Sequence, residues 1–233
     1  MGINPTAIGK AYIEELTSSI RKCYLELGER DIWMTMNAND NSFPGAKKAI
    51  SLDLYGKVEQ ALSGYTSLID EIDTAQASHD LNKIPSDMEV SFWEDRWVSL
   101  NRELGQWEVL ADYAEDTCCS KLLMECAWKS RNWEKVRSLC SSPSIISALE
   151  AGDFEVKMSE IFLAIADGKL NEVENLHAQS AQLCLYKWQL LPSFFSGCNA
   201  HASLLHQFHR LVDIRESGQI MVETRYVITF HAL

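Results

Sequence analysis

The stretch Leu104-Gly105-Gln106-Trp107-Glu108-Val109-Leu110 indicates how this chain changes direction. A turn-forming residue is followed by one or two polar residues and then by a large apolar residue that opens a helix-like segment. Gly or Asn in the left-handed conformation ends one helix, and the apolar residue begins the next by packing back onto the first. Weaker copies of this pattern occur at 27–33, 55–61, 131–136 and 151–155. The sequence therefore predicts a series of helical hairpins.

The hairpins do not follow a fixed period. Gly105 and Asn132 are 27 residues apart, whereas Asn132 and Gly152 are 20 residues apart. Between the turns, apolar residues recur at steps of three and four, as they do from Val90 to Leu104, which is the spacing of an amphipathic helix. We predict an all-α fold, a right-handed α-solenoid of antiparallel helix pairs similar to tetratricopeptide and HEAT repeats. Such folds act mainly through the surfaces that they present.

The chain is expected to contain four parts. A polar stretch interrupted by Pro85 separates two helical regions, and the last residues differ in composition from the helical body. The predicted parts are helical repeats over 1–73, a connector over 74–87, further helical repeats over 88–220 and an atypical extended tail over 221–233.

Two local signals support this division. Ser86 and Glu89 have the spacing of a capping box, which predicts that a helix begins beside them. Met221 to Phe230 is rich in β-branched and aromatic residues, which predicts extended structure.

Composition excludes several functional classes. Hydrophobic residues make up 46% of the 233 residues, which is enough to build a substantial core. The 33 Asp and Glu residues outnumber the 21 Lys and Arg residues, so the net charge is −12 and direct nucleic-acid binding is disfavoured. No apolar run is long enough to predict a membrane span. The seven cysteines match no disulfide scaffold, which indicates a reduced, intracellular protein.

Residues that could bind a metal are present but poorly spaced for it. Cys118, Cys119 and Cys126 suggest zinc, yet adjacent cysteines do not readily bind one ion together and no second pair follows. His206 and His209 share a helix face without the further ligands that a metal site requires. No nucleotide-binding, kinase or hydrolase motif occurs. We therefore predict no catalytic residue, no cofactor and no metal site.

Tryptophan is the most distinctive residue type. The chain has seven, and most lie on apolar stripes with helical spacing. Core packing between helices is the favoured interpretation, and an exposed aromatic cage is the alternative. The predicted packing residues are Trp33, Trp93, Trp97, Trp107, Trp128 and Trp133.

The residues from Trp97 to Trp133 carry a family resemblance. Glu103-Leu104-Gly105-Gln106-Trp107 is followed about twenty residues later by Glu125-Cys126-Ala127-Trp128 and then by Asn132-Trp133. This pairing resembles the FAT domain of the phosphatidylinositol-3-kinase-related kinases, in particular a branch of pseudokinase scaffolds. The resemblance extends over roughly residues 12 to 220. It implies one segment of a much larger chain, with no catalytic residue carried over.

The resemblance also implies a function. We expect a non-catalytic, nuclear scaffold segment that contacts other protein subunits of a histone acetyltransferase coactivator complex, without direct contact to nucleic acid or membrane. One alternative is the FAT segment of another family member, where the helices clamp an active kinase domain. A second alternative is a helical small-molecule binder or enzyme, which would need a pocket with converging polar groups.

Overall fold

The computed structural model describes residues 16–17, 19–21, 23–24, 29–40, 43–78, 85–191 and 200–231. All regular secondary structure within these ranges is α-helical. Helical residues among positions 16–24 precede eleven helices with these bounds: α1 Arg30–Asp40, α2 Pro44–Leu54, α3 Val58–Ser78, α4 Asp87–Glu103, α5 Trp107–Asp116, α6 Ser120–Lys129, α7 Trp133–Cys140, α8 Pro143–Glu150, α9 Phe154–Asp167, α10 Leu170–Leu190 and α11 Ala200–His231. The predicted all-α class is confirmed.

The chain forms two compact units whose boundary falls between Gly105 and Gln106. Helices α1 to α4 belong to the first unit, and α5 to α10 belong to the second together with α11 from His201 onward. The predicted division at 74–87 does not coincide with this boundary. Residues 74–78 are the last turn of α3, and residues 79–84 lie outside the described residues.

The first unit is built from helices that pack on their neighbours in the chain. Contacts join α1 to α2, α2 to α3 and α3 to α4. Apolar residues spaced by three and four on each helix meet in one core, and the removal of their side chains from water stabilises the unit. The largest fully buried members are Met34, Ile50, Tyr65, Trp93 and Leu100.

The second unit has two clusters of buried apolar residues. One lies among α6, α7, α8 and α9, and includes Met124, Val136, Ile145 and Val156. The other lies among α9, α10 and α11, and includes Phe154, Met158, Ile161, Cys184 and Leu211. Helix α9 contributes to both clusters, which is consistent with its contacts to α6, α7, α8 and α10. The second unit is therefore organised around α9.

Residues in the left-handed backbone conformation follow six of the eleven described helices. Turns of two or three residues join consecutive helices of the second unit up to α10, so those helices reverse direction as antiparallel pairs do. In the turn between α2 and α3, the N–H of Lys57 donates to the carbonyl of Leu52, a Schellman-type closure. Positive φ values are found at Gly56, Gly105, Gly152 and Gly168, and also at Cys118 and Arg131.

These turns confirm the predicted positions of Gly56, Gly105 and Gly152 and correct one other position. Arg131, with φ 58°, takes the left-handed conformation that the sequence assigned to Asn132. Asn132 caps α7 instead, because its side-chain oxygen accepts a hydrogen bond from the N–H of Lys135 at 3.1 Å. Gly28, in the earliest copy of the pattern, lies outside the described residues.

The predicted capping box is confirmed. The hydroxyl of Ser86 accepts a hydrogen bond from the N–H of Glu89 at 3.4 Å, and the Glu89 carboxylate accepts one from the N–H of Ser86 at 3.0 Å. This reciprocal pair satisfies two backbone donors at the start of α4, which fixes where that helix begins.

The end of the chain differs from the sequence prediction. The composition of Met221 to Phe230 predicts extended structure, but the backbone continues α11 to His231. β-Propensity reflects packing on a neighbouring sheet, and the described residues contain no strand with which this segment could pair. Adding residues to an existing helix gains one backbone hydrogen bond per residue without a new nucleation step. Residues 232 and 233 lie outside the described residues.

Candidate functional site

The predicted aromatic residues of the first unit belong to its core. Trp93 is fully buried and Trp33 is 8% exposed, and both join the main apolar cluster. The ring of Trp33 lies 5.0 Å from that of Phe92, measured between centroids. Trp97 is partly buried and donates its indole N–H to the hydroxyl of Thr66 at 3.1 Å. These side chains therefore join α1, α3 and α4.

The predicted aromatic residues of the second unit are less buried. Trp107, Trp128 and Trp133 are each half-buried. Trp128 stacks on Phe162 of α9, with 4.4 Å between ring centroids and 17° between planes. The Nζ atom of Lys129 lies over the rings of both Trp107 and Trp128. The two rings therefore share one cation at the surface of the second unit, the kind of contact on which the cage alternative depends.

A buried ionic cluster links three helices of the first unit. Arg96 donates from Nε to Oδ2 of Asp53 at 2.8 Å and from Nη2 to Oδ1 at 3.1 Å, and both side chains are almost fully buried. Arg30 also donates to Asp53, at 3.2 Å, and its other terminal nitrogen lies 3.6 Å from Glu103. Two guanidinium groups therefore neutralise one buried carboxylate, as a charge removed from water requires.

Tyr65 lies in the same part of the core. Its pKa is raised above its ordinary value, first by burial and then by the negative charge of Asp53, while Arg96 opposes the shift. The phenol therefore stays neutral at physiological pH. Sequence reasoning missed this cluster. The available signal was Arg96 itself, a charged residue between Trp93 and Trp97 on an otherwise apolar helix face.

Ion pairs on the surface of the second unit connect its helices, and most of them involve α9 or the residue just before it. Lys121 of α6 donates to the carboxylate of Asp153, just before α9, at 2.8 Å. Arg210 of α11 donates to both carboxylate oxygens of Glu155, at 2.6 and 3.0 Å. Arg137 of α7 pairs with Asp167 and Lys135 with Glu115. Exposed ion pairs are screened by water and contribute little to stability, so these contacts orient helices more than they stabilise them.

The surface of α10 and α11 carries large exposed apolar side chains. Residues 175–212 contain no Asp or Glu in a chain with 33 of them, so this surface is less acidic than the rest. The exposed apolar residues are Leu185, Tyr186, Trp188, Leu190, Leu205, Val212, Ile220 and Met221. Scattered exposed apolar residues are ordinary in soluble proteins, but several on neighbouring helices are typical of contact surfaces.

The cysteine and histidine residues are placed as follows. Cys118 and Cys119 are exposed in the turn before α6, and Cys126 is buried in that helix. His206 and His209 are exposed on α11, where His209 lies 3.8 Å from Asp213. Within the described ranges, no three His, Cys, Asp or Glu side chains are placed to hold a metal ion together. No described helix has the length and apolar character needed to cross a membrane.

Comparison with known protein families finds a match that covers most of the second unit. Residues 120–228, from the start of α6 to near the end of α11, match the family model of the FAT domain. The resemblance to the FAT domain is confirmed. The FAT segment, as residues 120–228 are called below, contains α9 and the helices α6, α7, α8 and α10 that pack against it.

Curated relatives align with most of the chain. The transformation/transcription domain-associated proteins of Danio rerio and Homo sapiens are each 27% identical to it over 212 and 214 residues, 89% of this chain in both cases. The Schizosaccharomyces pombe SAGA complex/NuA4 acetyltransferase complex subunit Tra1 is 27% identical over 214 residues. The chain spans only about 5–6% of the length of these relatives. Because each alignment includes far more than the FAT segment, the likeness extends into the first unit.

Proposed function

We propose that this chain acts as a non-catalytic helical scaffold segment that binds other protein subunits in a nuclear histone acetyltransferase coactivator complex. The observation that carries the proposal is the alignment of 89% of the chain with a subunit of the SAGA and NuA4 complexes. The packed helices support it, because their exposed faces offer surface for protein contacts while their buried faces form the core of each unit.

The electrostatics of the chain are consistent with contact to proteins. A net charge of −12 opposes close approach to phosphate backbones and favours basic protein surfaces. Six of the eight exposed apolar residues of α10 and α11, from Leu185 to Val212, lie where the chain is free of acidic residues, so a partner can cover them without burying unpaired carboxylates.

Affinity purification of the protein from its own cells tests the proposal. We expect acetyltransferase subunits and histone acetyltransferase activity to co-purify with a tagged protein containing this chain. A matched control carries Ala127→Asp, which places a carboxylate in the buried cluster of α6 to α9, and should lose both. Purification without any acetyltransferase subunit would contradict the proposed function.

The same preparation distinguishes the proposed scaffold role from the alternative in which the helices clamp an active kinase domain. Incubation with labelled ATP and a generic protein substrate should give no phosphate transfer beyond that of the Ala127→Asp control. Phosphate transfer that follows the tagged protein through purification would favour the FAT segment of an active kinase instead.

A further inference from the structure

One lysine ammonium group contacts two tryptophan rings of the second unit. The Nζ atom of Lys129, at the end of α6, lies 4.4 Å from the ring centroid of Trp128 and 5.2 Å from that of Trp107. Both distances are within about 6 Å, the range in which a cation is attracted to the negative face of an aromatic ring. Two rings from different helices therefore share one cation.

Packing holds the ring of Trp128 and the helix that carries Trp107 in place. Trp128 stacks on Phe162, which restricts the rotation of its ring. Trp107 is the first residue of α5, a helix that is anchored against α6 and has Leu110 fully buried one turn later. Lys129 is exposed at the end of a long flexible stem, so it can leave without disturbing either helix. The aromatic walls are thus more rigid than the cation they contact.

We propose that Trp107 and Trp128 form a binding site for an alkylammonium group. In the free chain Lys129 occupies this site, and a lysine or methylated lysine side chain from a basic partner segment replaces it. Tryptophan is the best aromatic residue for this interaction, and methylated ammonium groups are bound by such aromatic walls. The net charge of −12 favours the approach of a basic segment.

Lys129 is a weak occupant. A cation–π contact at an exposed site changes an equilibrium constant by about two- to fivefold, so an incoming ammonium group with additional contacts to the chain can displace it. Removal of the lysine side chain should therefore raise the affinity of the site for added cations by a similar factor. This proposal rests on the proposed function in one respect, since it names the chemistry of a partner of the scaffold. Because binding of an ammonium group does not require a coactivator role, an experiment can contradict either proposal without contradicting the other.

Calorimetric titration of the full chain tests the site. The probes are tetramethylammonium, two short peptides that differ only in lysine or trimethyllysine, and a peptide with a neutral tert-butyl isostere of trimethyllysine. We expect Lys129→Ala to bind tetramethylammonium about two- to fivefold more tightly than the parent chain. Stronger binding of the trimethyllysine peptide than of the lysine peptide would identify methylated lysine as the preferred source, and equal binding would identify lysine in general.

Matched variants locate the binding. In the Lys129→Ala background, Trp107→Leu should reduce tetramethylammonium binding at least fivefold, and Trp107→Phe should retain part of it. Trp188→Leu, which removes a partly exposed ring elsewhere in the second unit, should change nothing. Circular dichroism establishes that each variant is folded. Equal binding by Trp107→Leu, or equal affinity for the neutral isostere, would overturn the proposal.

Discussion

Arg96 and Asp53 are 43 residues apart in the chain and form a two-point ion pair in the core of the first unit. The two hydrogen bonds are 2.8 and 3.1 Å long, and the side chains are 5% and 2% exposed. The planar guanidinium matches the carboxylate in a way that an ammonium group cannot. The pair therefore fixes the position of α4 relative to α2.

Removal of one partner should destabilise the first unit strongly. We expect Arg96→Ala to lower the free energy of unfolding by about 3–5 kcal/mol, because the buried Asp53 loses its buried guanidinium partner and keeps the half-exposed Arg30. Arg96→Lys should cost a large part of this, since it loses the two-point geometry. Urea titration followed by circular dichroism measures both changes. An unchanged urea midpoint in Arg96→Ala would contradict the buried pair.

The double replacement Arg96→Met with Asp53→Leu separates pairing from simple burial. Replacing both charges with apolar side chains of similar size removes the need to solvate either one. We expect the double variant to be more stable than Arg96→Ala. If the double variant loses as much free energy of unfolding as Arg96→Met alone and Asp53→Leu alone lose together, the two residues do not interact.

Two left-handed glycines give a matched test of backbone strain against steric conflict. Gly56 has φ +70° and an added Cβ would meet nothing within 4 Å, whereas at Gly152, with φ +73°, it would lie 2.9 Å from Cδ1 of Leu183. We expect Gly56→Ala to cost about 1–2 kcal/mol from the left-handed conformation alone. Gly152→Ala should cost more, and adding Leu183→Ala should recover part of the excess. Equal costs at both glycines would argue against close packing of α10 on this turn.

Local signals in the sequence predicted much of the fold. Ser86 and Glu89 predicted the start of α4, and the left-handed glycines marked helix ends, because caps and turns depend on residues only a few positions apart. Cys118 takes a left-handed conformation that no residue preference indicates, so the turn before α6 was not predicted. Residue preference alone predicts an extended tail, whereas the backbone continues the preceding helix, because preference takes no account of that continuity.

The buried ionic cluster and the contact of Lys129 with two tryptophan rings depend on tertiary structure. Asp53 and Arg96 are on different helices, and nothing in a single sequence shows that they meet. The sequence grouped Trp93 and Trp107 as packing residues because both lie on helical stripes. Periodicity identifies the buried face of a helix but not how deeply each residue is buried, and only Trp93 is fully enclosed.

The difference in burial between these two tryptophans should appear in stability. We expect Trp93→Ala to cost about 3–5 kcal/mol, the range for removing a large buried aromatic side chain. Trp107→Ala should cost clearly less, because its ring is only half-buried. Urea titrations of the two variants measure both values. A cost for Trp107→Ala equal to that for Trp93→Ala would show that the ring is enclosed and would weaken its proposed role in cation binding.

The carboxylate of Asp153 should make the stability of the second unit dependent on pH. Its Oδ1 accepts hydrogen bonds from the N–H groups of Glu155 and Val156, at 3.2 and 3.3 Å, and its Oδ2 accepts one from Lys121. Burial alone would raise the pKa of Asp153. The hydrogen bonds and the positive charge of Lys121 outweigh burial, so the pKa lies below its ordinary value.

Because folding lowers this pKa, the ionised carboxylate stabilises the native state fully above the unfolded pKa of about 3.9. That contribution is lost as the pH falls through the lower folded pKa.

Asp153→Ala should cost about 1 kcal/mol at pH 7 through loss of the cap. Asp153→Asn keeps a capping acceptor but loses the charge, so its cost should be present at pH 7 and shrink below about pH 4. Urea titrations of the parent and both variants from pH 7 to pH 3 measure this change, and Lys121→Met should make the pH dependence smaller. A cost of Asp153→Asn that stays constant across this range would show that ionisation of Asp153 does not contribute.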